Sequence, residues 1–264
     1  MATGNTRDTA TWGDGEAVIR LDADLHNHES VNDFFAPANW QDLDDKDADL
    51  GGTAPVPLNL PTETGGQALV LALGKDGRAY LLDRHNLGGI GGSLAVENVS
   101  YGPIRTAPAV YPASGGMLVA FRGQGIHCPL QSTTWEASFT HFLEHVEALV
   151  VGRLVRKVFK TQKQLTVLKI RAGSPPTVET SWCGALRGAG SPIVTTTDGH
   201  SSPVVWMVGA EGDNQLHGFR GDTGEPLFTG SADSMRGLHH FQRLLATEDR
   251  LYVGADGHVY ACAF

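Results

Sequence analysis

The sequence predicts an all-β chain of repeated short-strand units, broken once by a basic helical insertion. Three observations carry this expectation. Glycine is abundant, 33 of 264 residues with 13 prolines, and has no three-residue period, which fits many turns between short strands rather than a collagen-like chain. Strand-sized apolar runs alternate with Gly/Asp turns, and no helical crossovers lie between them, which disfavours a doubly wound sheet. A proline that opens a strand recurs in similar local contexts.

In chain order, Gly15 to Leu21 reads as a short strand and Asp22 to Asn32 as a polar loop. Phe34 to Trp40 is aromatic and contains Pro37; the acidic run Asp42, Asp44, Asp45, Asp47 and Asp49 then reads as a solvated loop or a set of turn caps. From Thr53 the pattern becomes strand, turn, strand. Ala54 to Leu58, a turn at Gly65-Gly66, Ala68 to Leu73, a hairpin turn at Lys75-Asp76-Gly77, and Arg78 to Leu82 make one unit. The order returns in Ala189 to Val194, Pro203 to Val208, Leu216 to Phe219 and Pro226 to Phe228, with turns at Asp198-Gly199, Glu211 to Asn214 and Gly221 to Gly224. A shorter unit closes the sequence: Phe241 to Ala246, Leu251 to Val253, a turn at Asp256-Gly257, and His258 to Phe264.

Pro55, Pro108 and Pro192 open strands in the contexts Thr-Ala-Pro-Val, Thr-Ala-Pro-Ala-Val and Gly-Ser-Pro-Ile-Val, at intervals of 53 and 84 residues. The excess of 31 residues matches the one stretch without strand character, about Thr133 to Gln164. A period near fifty suits a four-stranded β-propeller blade with one long loop. The expected organisation is therefore blades over 1–130, a helical insertion over 131–164, and blades of the same domain over 165–264.

Within the insertion, Trp135, Phe139, Phe142, Val146, Leu149 and Val150 recur at helical spacing, so a helix is expected over 135–160. Thr133 or Thr134 caps its start, acidic residues lie early and cationic ones late, and Gly152 interrupts it. Three readings stay open: a helix packed outside the β unit, a helix for a protein partner or membrane surface, or a non-native splice.

The formal net charge of −9 argues against nucleic-acid binding. The three cysteines, Cys128, Cys183 and Cys262, include no CxxC and allow one internal disulfide; a buried or disulfide-bonded Cys128, paired with Cys183, is preferred to a catalytic one. No signal peptide is evident at the start, and no apolar run approaches a membrane span.

Several stretches carry a family resemblance: Gly74 to Arg84 with Asn86 to Gly89, Leu43-Asp44 with Asp47 to Gly51, Gly190 to Val194, Leu216 to Phe219 with Asp222-Thr223-Gly224, and Val253 to Tyr260. They resemble the bacterial quinoprotein-like, PQQ-binding-like β-propeller repeat proteins. The resemblance implies four-stranded blades joined by tryptophan-docking contacts. Gly218, Asp222, Thr223 and Gly224 follow the pattern loosely, with a deletion or shift before the acidic residue, and Phe228 stands where Trp is expected. It also implies seven or eight blades, whereas this sequence offers about four at the observed period. A partial propeller is the preferred expectation, with a small closed ring or a dimer completed in trans as alternatives. Open blade edges, and helix 135–160, would then serve self-association or a protein partner. The resemblance further implies a periplasmic or extracellular location.

Chemistry is less legible. The fold-level alternative is a PQQ- and calcium-dependent dehydrogenase of alcohols or sugars, but the adjacent cysteine pair of such enzymes is missing and no cofactor-binding or catalytic set can be placed. The preferred reading is a non-catalytic binding or structural module with no cofactor. Asp44, Asp45, Asp47 and Asp49 are the calcium candidates, because hard carboxylate oxygens in a short run can surround the ion, although the EF-hand pattern is absent. His26-Asn27-His28 and His239-His240 lack partners at zinc spacing and read as surface histidines.

Overall fold

A computed structural model describes residues 1–6, 10–27, 30–62, 65–129, 164–230 and 234–263. The regular secondary structure of the described residues is almost entirely β. A four-stranded antiparallel sheet contains β3 (Val56–Thr62), β4 (Gly65–Leu73), β5 (Arg78–Asp83) and β7 (Ala95–Asn98) in that spatial order. A second contains β8 (Ala109–Ala113), β9 (Gly116–Arg122), β10 (Leu165–Arg171) and β11 (Thr177–Gly184). A third contains β12 (Ile193–Thr195), β13 (Val204–Val208), β14 (Leu216–Arg220) and β15 (Pro226–Thr229). The last has three strands, β16 (Leu244–Ala246), β17 (Arg250–Ala255) and β18 (His258–Ala263). At the N-terminal end, β1 (Val18–Ile19) and β2 (Phe34–Ala36) pair antiparallel, and β6 (Gly89–Ile90) returns from the β5–β7 connection to pair parallel with β2.

The three marker prolines each sit one residue before the first strand of a sheet, where a missing N–H costs the ladder nothing. First strands begin at residues 56, 109, 193 and 244, so the unit length outside the insertion is 53 and then 51 residues.

Strand periodicity explains how the sheets meet. Side chains alternate between faces along a strand, so a strand apolar at every position needs a partner on both sides. In β4, Leu69, Leu71 and Leu73 face the second sheet, while Val70 and Ala72 face the N-terminal sheet. In β9, Val119 and Phe121 face the first sheet, and Leu118 and Ala120 face the third. In β13, Val205 and Met207 look back while Trp206 and Val208 look forward to the last sheet. Four apolar layers therefore join five sheets in series. The N-terminal sheet is closed on its far side by Trp12, which stacks on Phe34 at 4.4 Å, and by Trp40.

Two local expectations need correction. The acidic run is not a loop throughout: Trp40–Asp45 forms a short helix, α1, followed by a 3₁₀ turn at Leu50–Gly52. Leu43 and Leu50 are buried beneath it, and Lys46 pairs with Asp42 one turn back at 2.5 Å, so apolar anchors and an i,i+4 ion pair favour the helix over a solvated loop. Gly65 and Gly66 are not a turn but the start of β4, opposite Thr62 and Pro61. The helix expected over 135–160, and with it residues 131–163 of the insertion, lies outside the described residues. Its chain position is the connection between β9 and β10, two neighbouring strands of one sheet, so the second sheet draws strands from both sides of the insertion.

Truncating a side chain inside a two-sided sheet should cost far more than truncating one on an uncovered face. At protein concentrations low enough to keep the chain monomeric, Leu71→Ala should lower unfolding free energy in urea by about 2–5 kcal/mol, and Leu245→Ala, on the outer face of β16, by no more than about 0.5 kcal/mol. Equal losses would contradict the layered core.

Candidate functional site

Polar chemistry gathers at the turns and joints of the sheets. The β4–β5 and β13–β14 turns share one device. Asp76 Oδ1 accepts the Arg78 amide at 3.1 Å and its Oδ2 accepts the Tyr80 hydroxyl at 2.5 Å. Asp213 Oδ1 accepts the Gln215 amide at 3.1 Å, and its Oδ2 lies 3.1 Å from His217 Nε2. An aspartate thus holds the amide two residues on and a side chain four residues on, fixing the hairpin. Asp213 also accepts the Arg187 amide at 2.9 Å. Burial works to raise its pKa, but His217 and these amides outweigh that and hold the carboxyl below its usual value. In the last sheet the corresponding Asp256 reaches His239 instead, at 2.9 Å, and raises the imidazole's pKa. In the second sheet this turn is where the insertion enters.

The joint between the second and third sheets converges on one carbonyl. Trp182 Nε1 donates to Gly221 O at 2.8 Å, and the Tyr111 hydroxyl donates to the same oxygen at 2.7 Å, both from the second sheet into the β14–β15 turn. A cross-sheet indole contact is present, but Trp182 supplies it. Phe228 lies opposite Gly218 in the β14–β15 ladder, its ring 6.3 Å from Trp206.

Cys128 and Cys183 form a disulfide across 55 residues, tying the start of the insertion to β11. The other end is held by Gly123, whose amide donates to Gln164 O at 3.0 Å.

The calcium candidates separate. Asp45 is exposed; Asp47 is exposed and pairs with Lys75 at 3.4 Å. Asp44 and Asp49 turn toward the N-terminal segment, where Asp44 Oδ1 accepts the Thr6 amide at 2.7 Å and Asp49 pairs with Lys75. They meet a residue that sequence reasoning missed. Glu16 is completely buried; its Oε2 accepts the Leu50 amide at 2.6 Å and its Oε1 has no hydrogen-bond partner. Burial pushes its carboxyl up to about 7, against the pull of the Leu50 amide, and the charges of Asp49 and Asp44 push the same way. Its sequence setting, a lone acid in a short strand-like run, carries no sign of this, because the groups around it come from residues 4–6 and 44–50.

Among the described residues, Asp22, Asp24 and His26 are the group of three whose ligand atoms all lie within 4.8 Å of one another. That geometry can hold a cation, yet it is also an ordinary Asp turn: Asp22 Oδ1 accepts the amides of Asp24 at 2.9 Å and His26 at 2.8 Å. His239 pairs with Glu211 and Asp256, and His240 with Glu211, but these groups do not bring three ligand atoms within the 4.8 Å span that Asp22, Asp24 and His26 share. No helix among the described residues is long and apolar enough to cross a membrane.

No family model matches the chain, and no curated protein matches it. Distant likeness appears among solved structures. The chain is similar to BamB from Moraxella catarrhalis, with 13% identity over 79% of this chain and 47% of that one, at a TM-score of 0.36. It is similar to the computationally designed Ika8 protein, with 12% identity over 78% and 45% of the two chains and a TM-score of 0.40. It is also similar to quinohemoprotein alcohol dehydrogenase ADHIIG from Pseudomonas putida HK5, with 14% identity over 76% and 34% and a TM-score of 0.36. The chain spans less than half the length of each of these three proteins.

Two outcomes follow from the joints. Replacing Cys128 and Cys183 together by Ser should lower stability by about 4 kcal/mol, the loop-closure value for 55 residues, read as a fall in the urea midpoint; an unchanged midpoint would contradict a structural role. Because the folded pKa of Asp213 lies below its unfolded value, its contribution exists above the ordinary carboxylate range and disappears as pH falls through the folded value. The Tm gap between wild type and Asp213→Asn should therefore be full near neutrality and close below about pH 4. A gap independent of pH would show that the charge is not what matters.

Proposed function

We propose that this chain is a non-catalytic binding or structural module of β-propeller type, which engages a neighbouring apolar sheet through the outer face of β16–β18. One observation carries the reading. The inner face of that sheet packs on the third sheet through Leu244, Leu251 and Val253, while its outer face is uncovered. Leu245, Tyr252 and Ala261 form one row across the three strands, with Val259 opposite Gly254 beside it. Leu245 and Val259 are 65% and 64% exposed, whereas the central strands of the four other sheets are covered on both faces. A two-sided strand pattern left bare on one side is the physical signature of an association surface.

Other features support the same reading. The turn aspartates, Asp76 and Asp213, are occupied in holding hairpins. Serial stacking of four-stranded antiparallel sheets is the packing that consecutive propeller blades require. The Cys128–Cys183 disulfide supports an oxidising compartment, in line with an exported protein. The occupant we favour is the same face of a second copy, since an isologous pairing needs only one self-complementary patch. The quinoprotein dehydrogenase alternative, with PQQ and calcium, rests on family resemblance alone.

Light scattering coupled to size exclusion tests the proposal. Wild type should exceed the 28.1 kDa monomer mass in a concentration-dependent manner, and Leu245→Asp combined with Val259→Asp should restore the monomer. A wild-type chain that stays at monomer mass across the concentration range, or a variant that associates equally, would overturn it.

A further inference from the structure

Asn5, Thr6, Glu16, Asp44 and Asp49 come from three separate chain segments that close on one another. The Glu16 amide donates to Gly4 O at 3.0 Å, and a Cβ at Gly4 would stand 3.2 Å from Asp49 Oδ1, so the backbone at residue 4 lies directly on the Asp49 carboxylate. Asn5 Nδ2 donates to Asp44 O at 3.1 Å, and the Thr6 amide donates to Asp44 Oδ1. On the other flank, a Cβ at Gly15 would meet Thr6 Oγ1 at 2.7 Å. The charges of Asp49 and Asp44 both act on the Glu16 carboxyl.

Two features of this cluster are unusual together. Three of its side-chain oxygens are buried without a hydrogen-bond partner: Glu16 Oε1, Asn5 Oδ1 and Thr6 Oγ1. Asn5 Oδ1 can only accept, as can Glu16 Oε1 once its carboxyl is ionised, and buried acceptors left empty are costly and scarce. The cluster also carries three carboxylates, Glu16, Asp44 and Asp49, against one ammonium, Lys75, which is held by Asp49 and by the outlying Asp47. A species that is positive, accepts several oxygens and fits between the segments would answer both features.

We propose that this cluster is a divalent-cation site of the calcium class, built on Glu16 and Asp49, with Asp44, Asn5 and Thr6 contributing further oxygens. Calcium takes six to eight hard oxygen ligands in an adaptable shell, a mixture of carboxylate, amide and hydroxyl groups with water. The three carboxylates do not all share the 4.8 Å span that Asp22, Asp24 and His26 have, so the ion engages Glu16 with its nearest carboxylate and draws the others in. The site lies where residues 4–6 meet the turn after α1, and occupancy clamps the N-terminal segment onto the first sheet. This goes beyond the proposed association surface, which lies on the last sheet.

The full chain, stripped with chelator and titrated with Ca²⁺ or Tb³⁺ alone, tests the assignment. Trp12 Nε1 donates to Gly15 O at 2.8 Å, next to Glu16, so indole excitation should sensitise Tb³⁺ luminescence that Ca²⁺ then displaces. Ca²⁺ should also raise Tm. Glu16→Gln, which keeps shape and removes the charge, should weaken both responses at least tenfold, and Asp44→Asn should weaken them less. Asp24→Asn combined with His26→Ala should leave both responses intact. Circular dichroism in chelator checks that the variants fold; if Glu16→Gln does not, Asp44→Asn decides. No luminescence and no Tm shift at millimolar Ca²⁺, undiminished responses in the folded variants, or responses that vanish with Asp24 and His26 would each overturn the site.

Discussion

The rest of the structure depends on a single constraint: the central strands are apolar on both faces. A strand such as β9, with Leu118 and Ala120 on one side and Val119 and Phe121 on the other, has no face that water can cover cheaply. Each sheet must be sandwiched, and each covering sheet passes the same demand to the next. The series ends in two ways. At the N-terminal end Trp12 and Trp40 close the last face with aromatic side chains, while at β16–β18 the demand is left unmet. A sheet face left bare among the described residues is where a further apolar layer can pack.

Apolar layers do not by themselves fix the register of one sheet on another; the polar joints do. Gly221 O, receiving both Trp182 and Tyr111, pins the second sheet to the third at one point, and a buried carbonyl with two donors is costly to dislodge. Asp76 and Asp213 hold the hairpins of the first and third sheets, and the disulfide ties the second sheet where the insertion enters. The module therefore tolerates a long insertion in the middle of a sheet because the strands on either side, β9 and β10, still pair through six residues.

The repeat was legible in the sequence because its markers are local. Pro55, Pro108 and Pro192 announce first strands through a backbone rule that needs no tertiary context. The Lys75-Asp76-Gly77 turn and the strands beside it are likewise short-range signals. The acidic run is less legible because charge density suggests solvent, whereas Leu43 and Leu50 decide the outcome by burial. Glu16 was invisible for a related reason: its burial is produced by segments far apart in sequence. Trp182 carries no local sign of its cross-sheet contact, because the Gly218 to Phe228 pattern lies in the third sheet while the indole reaches Gly221 from the second.

Amide hydrogen exchange measured strand by strand tests the two-sided stack most directly. Strands sandwiched between two apolar layers, β4, β9, β10 and β13, should exchange at least tenfold more slowly than β17, whose sheet is covered on one face only. Protection of β17 equal to that of β9 and β10, in a chain shown to be monomeric, would contradict it.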